Sequence, residues 1–255
     1  MSILSKKHFH NEAAAFAYLE SILWPDGPIC PHCRTYDRAG KLKGKKTRIG
    51  LWKCYACRNQ FTVKVGTVFE HGRIPLHKML QAAFLMTSSK KGISAHQLHR
   101  TLEITYKTAW FLSHRIREAM REDTAGPLGG QNKVVEADET YVGGKAKNKA
   151  FGSPPPKEPV VALVERDVSV RSFHVQAVSR DTLQPILFTE IDRASYLMTY
   201  EARVYRAPGK EFSGHGTVNH SIQEYARGEF WHTNTMESYI SILKRGITGT
   251  YQHCS

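Results

Sequence analysis

The chain has 255 residues, of which 41% are hydrophobic and 10% aromatic, a composition that can bury a core and excludes wholesale disorder. Its 36 Lys and Arg outnumber its 23 Asp and Glu, and the formal charge of +13 favours a polyanion such as nucleic acid, although a basic soluble protein without such a partner has the same balance. The sequence contains no apolar stretch of about 18 residues and no signal-peptide core, so we expect no membrane span and a reducing, cytoplasmic location. In that setting, five cysteines indicate metal or redox chemistry rather than disulfides.

The first part of the chain, residues 1–70, predicts a short helix followed by a zinc ribbon. Asn11 is suited to cap a helix that runs to Leu23. Two C-x-x-C motifs follow, separated by positions 34 to 53, and we expect a β-hairpin in that gap, with Trp52 and Phe61 supplying a small core. The four cysteines have the spacing of a structural zinc site and are Cys30, Cys33, Cys54 and Cys57. The alternative is a set of buried or redox cysteines; His32 is interpreted as a bystander, and Cys254 is given no role.

Residues 71–122 predict a helical helix-turn-helix module. Apolar periodicity predicts one helix from Leu76 to the Lys90–Gly92 stretch, and Ser94 and Thr105 are suited to cap two shorter helices. In a helix-turn-helix the last helix enters the major groove, which places Tyr106 and Lys107 at base edges and Arg115 and Arg117 at phosphates. Trp110 is expected in the core. The alternative is a three-helix packing module with a solvated basic face.

The Gly- and Pro-rich residues 123–133 predict a linker, and residues 134–255 then predict a mixed α/β domain. We expect strands over Val134–Val142, Val160–Glu165, Val170–Val178 and Tyr196–Tyr200, with a polar loop through Pro156. Asp181 is expected to cap a helix reaching Thr189. A last helix is predicted over Thr235–Lys244, stopped by Gly246 and Gly249.

Carboxylates on the first of these strands and on the last helix are candidate metal ligands. Alternation along a strand places Glu136 and Asp138 on one face and Glu139 on the other. On the helix, Glu237 and Lys244 share a polar face. One carboxylate from a central strand and one from a neighbouring helix can share two Mg²⁺ ions, but acidic residues in such places also form ordinary solvated faces.

Sequence blocks along nearly the whole chain carry a family resemblance. The blocks are CPHC with CYAC, VVEADETYVGGK, PVVALVER, VNHSIQEYARG and HTNTMESYISILKRGITGTYQH. With them the chain resembles the bacterial insertion-sequence transposases that place a zinc ribbon ahead of a DDE catalytic core. The resemblance implies a multidomain α+β protein in which residues 134–255 form an RNase H-like α/β domain with a mixed sheet. It further implies DNA strand cleavage at element ends and strand transfer of the 3′-hydroxyl into target DNA.

The resemblance also assigns the site residues. Asp138 corresponds to the first metal-binding Asp, Glu237 to the acidic third member, and Lys244 follows seven positions later. Tyr200 stands where the second Asp of the family belongs, and a phenol, with a pKa of about 10, is a poor Mg²⁺ ligand. Glu201 is adjacent but belongs to the opposite strand face, and it could replace the missing Asp only if the strand ends early and the chain turns. This copy is therefore predicted to be impaired in Mg²⁺-dependent chemistry.

The sequence is compatible with three functional hypotheses. The first is a transposase that binds double-stranded DNA at terminal inverted repeats and target sites, as a multimer on DNA and associated with the nucleoid. The second is a non-catalytic, transposase-derived DNA-binding protein or repressor. The third is a structure-specific nuclease of RNase H-like fold. Relative to the family pattern, which typically continues after the third motif, the domain is expected to be short at its C-terminal end at Ser255.

Overall fold

The computed structural model describes residues 2–121, 126–143, 157–166, 169–218, 226–227 and 231–251. The chain divides into two compact units, Met1–Glu122 and Asp123–Ser255. The predicted polar loop through Pro156, Cys254 and most of the VNHSIQEYARG block lie outside the described residues. No helix among the described residues is both long and apolar enough to cross a membrane.

The first unit contains four α-helices and a small three-stranded sheet within its described residues. The elements in chain order are α1 (Glu12–Leu23), β1 (Ala39–Lys41), β2 (Trp52–Cys54), β3 (Gln60–Phe61), α2 (Leu76–Ser88), α3 (Ala95–Leu102) and α4 (Tyr106–Ala119). The predicted hairpin is confirmed, because β1 pairs antiparallel with β2, and β3 adds to the other edge of β2. The three predicted caps are also confirmed: Asn11, Ser94 and Thr105 each accept a backbone N–H from the first turn of their helix.

One apolar core joins α1 to the three later helices of this unit. Phe16 and Leu19 of α1 pack in the same cluster as Leu76 and Met79 of α2. Glu12 reinforces the contact, since its carboxylate accepts the Leu76 N–H at 2.8 Å and caps a helix whose own N-cap is Pro75. Glu20, about two turns further along α1, accepts bonds from the Lys41 ammonium at 2.8 Å and the Trp52 indole at 2.9 Å. The ribbon and the helices are therefore held together through α1.

The second unit is built on a five-stranded mixed sheet. Its elements are β4 (Val134–Gly143), β5 (Lys157–Glu165), β6 (Val170–His174), α5 (Arg180–Glu190), β7 (Tyr196–Tyr200), β8 (Gly214–Val218), the short pair β9 (Ala226–Arg227) and β10 (Trp231–His232), and α6 (Asn234–Gly246). The strand order is β6-β5-β4-β7-β8. Strand β5 is antiparallel to both its neighbours, whereas β4, β7 and β8 run parallel. The long central strand β4 therefore lies between β5 and β7.

Alternation along β4 separates two differently covered faces of the sheet. Val135 and Ala137 point into a large cluster with Leu183 and Leu187 of α5. On the other face, α6 buries Met236 and Ile240 against Ala162 and Val164 of β5. The residues of β4 between the apolar ones, Glu136 and Asp138, consequently face α6.

Several predicted boundaries were wrong, each for a local reason. Asp181 lies inside the first turn of α5, and the cap is Ser179, whose hydroxyl accepts the Thr182 N–H at 3.3 Å. Helix α6 ends at Gly246, two residues beyond the predicted Lys244, and Gly249 lies inside a wider π-type turn over Ile247–Tyr251. Strand β6 ends at His174 instead of continuing to position 178.

Part of the Gly- and Pro-rich segment that was predicted as a linker packs into the core of the second unit. Leu128 is only 3% exposed and belongs to the cluster that α5 covers. Its N–H donates to the Glu190 carbonyl at 2.6 Å, and its carbonyl accepts the Asp192 N–H at 2.9 Å. These bonds fasten residue 128 beside the end of α5.

Candidate functional site

The four predicted zinc ligands come together at one end of the small sheet. Their sulfurs all lie within 4.8 Å of one another. The Sγ atoms of Cys30 and Cys57 are 3.6 Å apart, as are those of Cys33 and Cys54. Tetrahedral zinc with Zn–S bonds of about 2.3 Å requires sulfurs about 3.8 Å apart, so this arrangement fits the ion. Four thiolates leave no position for a reacting water, and the centre is structural in kind.

The backbone of both C-x-x-C knuckles follows the same path. The residue after the second cysteine has left-handed backbone in each, with φ of 58° at Arg34 and 63° at Arg58. The N–H of the first cysteine in each knuckle donates to the carbonyl five positions later, Cys30 to Thr35 at 3.2 Å and Cys54 to Asn59 at 2.9 Å. Against the quartet pack Phe61, Trp24 and Trp52, which confirms the small core predicted for Trp52 and Phe61.

The four predicted DNA-binding residues of α4 have different surroundings. Tyr106 and Lys107 are exposed at the start of the helix. The Arg115 guanidinium donates to the backbone carbonyl of Glu70, and the half-buried Arg117 donates to the Ser113 hydroxyl at 3.4 Å. The prediction that Trp110 belongs to the core was wrong, because its side chain is 41% exposed. The buried positions of α4 are Ala109, Leu112, Ser113 and Ile116, and position 110 turns away from them.

In the second unit, strands β4 and β7 and helix α6 bring three predicted site residues together. Asp138 lies on β4, Tyr200 ends β7, and Glu237 lies in the first turn of α6. The Tyr200 hydroxyl donates to Glu237 Oε1 at 2.9 Å. Burial raises the pKa of Tyr200, and the bond to Glu237 and the nearby charge of Asp138 raise it further. Tyr200 is therefore a neutral hydrogen-bond donor close to the carboxylates of Glu237 and Asp138.

Asp138 lies in an environment that disfavours its charged form. Burial, reinforced by the negative charges of Glu139 and Glu237, raises its pKa to about 7. The N–H of Glu139, which donates to Asp138 Oδ1 at 2.8 Å, and the exposed Lys244 both act in the opposite direction. Glu201 follows the end of β7 and is exposed.

A buried ionic network lies two residues before Asp138 on the same strand face. Glu136 is 0% exposed, and its Oε1 accepts the Arg166 Nε–H at 2.6 Å. Its Oε2 accepts the backbone N–H of Met236 at 2.8 Å, so this carboxylate caps α6, whose own N-cap residue makes no side-chain cap bond. Arg166 also donates to the His232 carbonyl at 2.8 Å. The network fixes the start of the helix that carries Glu237.

Comparison with known proteins agrees with this division into two units. Residues 10–60 match the transposase zinc-ribbon domain, and residues 127–255, just over half of the chain, match the ISXO2-like transposase domain. This chain belongs to the ISXO2-like transposase family. The transposase is also similar to an uncharacterized protein in transposable element ISH50 of Halobacterium salinarum, with 28% identity over 95% of this chain and 85% of the relative. The zinc-ribbon match and the cysteine quartet together support a structural zinc ion in this transposase.

Sequence reasoning missed the residues of this transposase that act through long-range contacts. Glu136 was assigned only a strand face, although it pairs with a residue 30 positions away and caps a helix 100 positions away. On the opposite face, the fully buried Tyr205 donates to Glu139 at 2.6 Å. The available signal was an acidic residue inside the apolar run of β4, since a buried carboxylate needs a partner.

Proposed function

We propose that this chain is an insertion-sequence transposase of the DDE type that retains DNA binding while its catalytic metal site is disabled at Tyr200. One observation carries the proposal: the Tyr200 phenol donates to Glu237 at 2.9 Å, next to Asp138. In this assignment Asp138 and Glu237 are the remaining acidic ligands, and Lys244 is the cation near the reacting phosphate. DNA strand cleavage and strand transfer are the reactions of the lineage, and in this proposal the present copy has lost them.

An RNase H-like assignment for the second unit is part of the proposal. It is supported by the order β6-β5-β4-β7-β8 with β5 alone antiparallel among these five strands. It is also supported by the position of Asp138 on the central strand and of Tyr200 at the carboxyl end of its parallel neighbour. Ligand sites in sheets with parallel strands favour those carboxyl ends.

The residues present do not fit a pair of Mg²⁺ ions. The protein ligands of Mg²⁺ are typically carboxylates, whereas Tyr200 offers a protonated phenol whose pKa is raised further by burial. That phenol occupies one oxygen of Glu237 through its hydrogen bond. Among the described residues, the one cluster of three or more potential ligands is the cysteine quartet.

DNA binding is assigned to the first unit. Helices α3 and α4 are joined by a short turn in which Glu103 has a left-handed backbone, an arrangement that supports a helix-turn-helix. Tyr106 and Lys107 begin α4 on its exposed side, where a recognition helix carries its base contacts. The charge of +13 favours the phosphate backbone. The proposed partners are double-stranded DNA at terminal inverted repeats and at target sites, bound by a multimer of this chain.

The decisive experiment restores the missing carboxylate. Tyr200→Asp is expected to gain Mg²⁺-dependent nicking of a duplex carrying the element end, whereas the unmodified chain leaves it uncut. Tyr200→Phe is the matched control, because it removes the hydroxyl without adding a ligand and should stay inactive. Adding Asp138→Asn to Tyr200→Asp should abolish the gain. Robust Mg²⁺-dependent strand transfer by the unmodified chain would contradict the proposal.

A repressor that occupies the terminal repeats without cutting them is the second candidate. The cysteine geometry of the first unit favours it, because the four sulfurs remain in zinc-binding positions while the second unit lacks a carboxylate at position 200. Binding to terminal-repeat duplex is measured across salt concentrations, with and without zinc. Affinity that is the same after zinc removal and after Lys107→Ala would exclude this function.

A further inference from the structure

Helix α4 carries a group of large aromatic side chains on its solvent side. Tyr106, Trp110 and Phe111 are 43%, 41% and 52% exposed. Trp110 and Phe111 contact each other edge to face with ring centroids 5.1 Å apart, and Tyr106 stacks on His96 of α3 at 4.2 Å. Exposed rings in such a group are uncommon on a soluble surface and mark an interaction site. We call this group the α4 aromatic face.

The geometry of the helix explains why these rings do not enter the core. The buried stripe of α4 runs through Ala109, Leu112 and Ile116, which pack in the core of the first unit. Residues at spacings of four share a side of a helix, so Tyr106 and Trp110 lie on one stripe and Phe111 lies next to it. The rings contribute little to that core, and folding does not account for them.

Cationic and imidazole groups are interspersed among the rings. Lys107 lies one helical turn before Trp110 and Phe111, His114 lies one turn after them, and both are exposed. The His114 ring contacts Trp110 with centroids 4.3 Å apart. On this side of α4 the acidic residue is Glu118, at the far end of the helix. The face therefore combines flat π surfaces with groups that pair with phosphate.

We infer that the α4 aromatic face binds DNA whose bases are unstacked, with Trp110 and Phe111 stacking on exposed bases and Lys107 holding the adjoining phosphates. This inference rests on the proposed DNA-binding function and names the form of DNA it selects. A paired duplex offers base edges and phosphates but hides its base faces, so its bases cannot stack on the rings of Trp110 and Phe111. Unpaired bases expose those faces, and aromatic–base stacking combined with cations is the usual mode of binding single strands. A second copy of this chain fits less well, because it would bring Lys107 against like charge.

The test compares three DNA probes with the full chain loaded with zinc. The probes are a fully paired duplex, the same duplex with a short central bubble, and an oligothymidylate single strand, each labelled for fluorescence anisotropy. Trp110→Ala is expected to weaken binding to the bubble and the single strand about tenfold, which equals about 1.4 kcal/mol, and to change duplex binding less than about twofold. Tryptophan fluorescence of the unmodified chain should be quenched by the bubble probe, and the quenching should be lost in Trp110→Ala.

Conservative variants separate stacking from simple apolar contact. Trp110→Phe and Phe111→Leu both keep an apolar side chain, but only the first keeps a ring, so Trp110→Phe should retain the preference for the bubble and Phe111→Leu should reduce it. Because the two side chains are exposed, helicity and melting temperature should be unchanged, and circular dichroism checks this. Equal loss on all three probes, or equal affinity of Phe111→Leu and the unmodified chain, would overturn the inference.

Two further outcomes are distinguishable. If no probe binds and Lys107→Ala changes nothing, the proposed DNA-binding function fails together with this inference. In the other outcome, the duplex binds, Lys107→Ala weakens duplex binding, and Trp110→Ala alters only self-association, as measured by sedimentation. The DNA-binding function then stands, the α4 aromatic face is a protein interface, and only the present inference is overturned.

Discussion

The hydroxyl of Tyr200 and the carboxylate of Glu237 are joined by a hydrogen bond of 2.9 Å that links the end of β7 to the first turn of α6. In the proposed function this bond occupies a carboxylate oxygen that a metal ion would otherwise use. It also stabilises the fold, because a hydrogen bond to a charged group contributes more than one between neutral partners. The same hydrogen bond therefore stabilises the fold and, in the proposed function, hinders metal binding.

Removing the hydroxyl alone is expected to loosen α6. Tyr200→Phe keeps the ring but leaves the half-buried Glu237 without this donor, which should lower the local stability of α6 by about 1.5 kcal/mol. Hydrogen exchange of α6 peptides, read by mass spectrometry, measures the change. Tyr141→Phe is the matched control, since that side chain is 51% exposed and its variant should exchange like the unmodified protein. Equal exchange in the two variants would contradict the structural role of the bond.

The raised pKa of Asp138 predicts a specific pH dependence of stability. Burial, Glu139 and Glu237 raise this pKa to about 7 against the opposing effect of Lys244, whereas the unfolded value is about 3.9. Between these values the folded chain binds more protons than the unfolded chain, so this group's stabilising contribution is present below about pH 4 and is lost as pH rises to about 7, by at most about 1.4 kcal/mol per pH unit.

Asp138→Asn isolates that contribution. The amide does not titrate, so the difference in free energy of unfolding between variant and unmodified chain should move in favour of the variant as pH rises from about 4 to about 7. Urea unfolding at several pH values, in buffer with chelated divalent ions, measures the difference. A constant difference across this range would show that the Asp138 carboxyl titrates as it does in the unfolded chain.

Local signals in the sequence predicted much of the fold. Asn11, Ser94 and Thr105 cap their helices because a side-chain oxygen can reach an N–H three positions later, a contact that spacing alone specifies. Strand β7 was predicted with the bounds it has, Tyr196–Tyr200, from its apolar and aromatic run. The spacing of the two C-x-x-C motifs likewise predicted that the four cysteines come together.

The parts that failed or were missed depend on the tertiary surroundings. Trp110 is apolar, and only the observed rotation of α4 shows that it faces solvent. Glu136 is an acidic residue on a strand, and no neighbouring residue in the sequence indicates that it binds Arg166 or caps the first turn of α6. Asp181 and Ser179 are both good caps, and the choice between them follows from where the chain enters α5. Burial and long-range pairing, which a single sequence does not specify, decided these cases.

Removing zinc is expected to unfold the ribbon while the helices of the first unit remain. The ribbon core is small, with Phe61 and two buried cysteines beside Trp24 and Trp52, so the metal supplies much of its stability. The helices keep a separate apolar core through Met79, Leu98 and Ile116. A chelator should therefore change tryptophan fluorescence with little loss of helical circular dichroism.

Cysteine variants check that the effect belongs to the quartet. Cys33→Ser should reproduce the fluorescence of the chelated protein, whereas Cys254→Ser should retain one zinc ion per chain and the native fluorescence. Zinc content is measured by atomic emission. Full zinc occupancy in Cys33→Ser would contradict a four-cysteine site.

The pair formed by Glu136 and Arg166 should be strongly coupled, because both the carboxylate and the start of α6 depend on it. The carboxylate is 0% exposed and accepts from both Arg166 and the Met236 N–H, so losing one partner leaves a buried, uncompensated charge. Glu136→Gln and Arg166→Met should each lower the free energy of unfolding by about 3 kcal/mol, and the double variant should lose about 1–3 kcal/mol less than their sum.

Lys133→Met provides the control, since Lys133 lies 4.0 Å from Glu165 and its side chain is 56% exposed. This substitution should lower the free energy of unfolding by less than about 0.5 kcal/mol. Additive losses in the double variant would mean that Glu136 stabilises α6 through its helix cap alone, and the ion pair would then have no separate part in holding Glu237 in place.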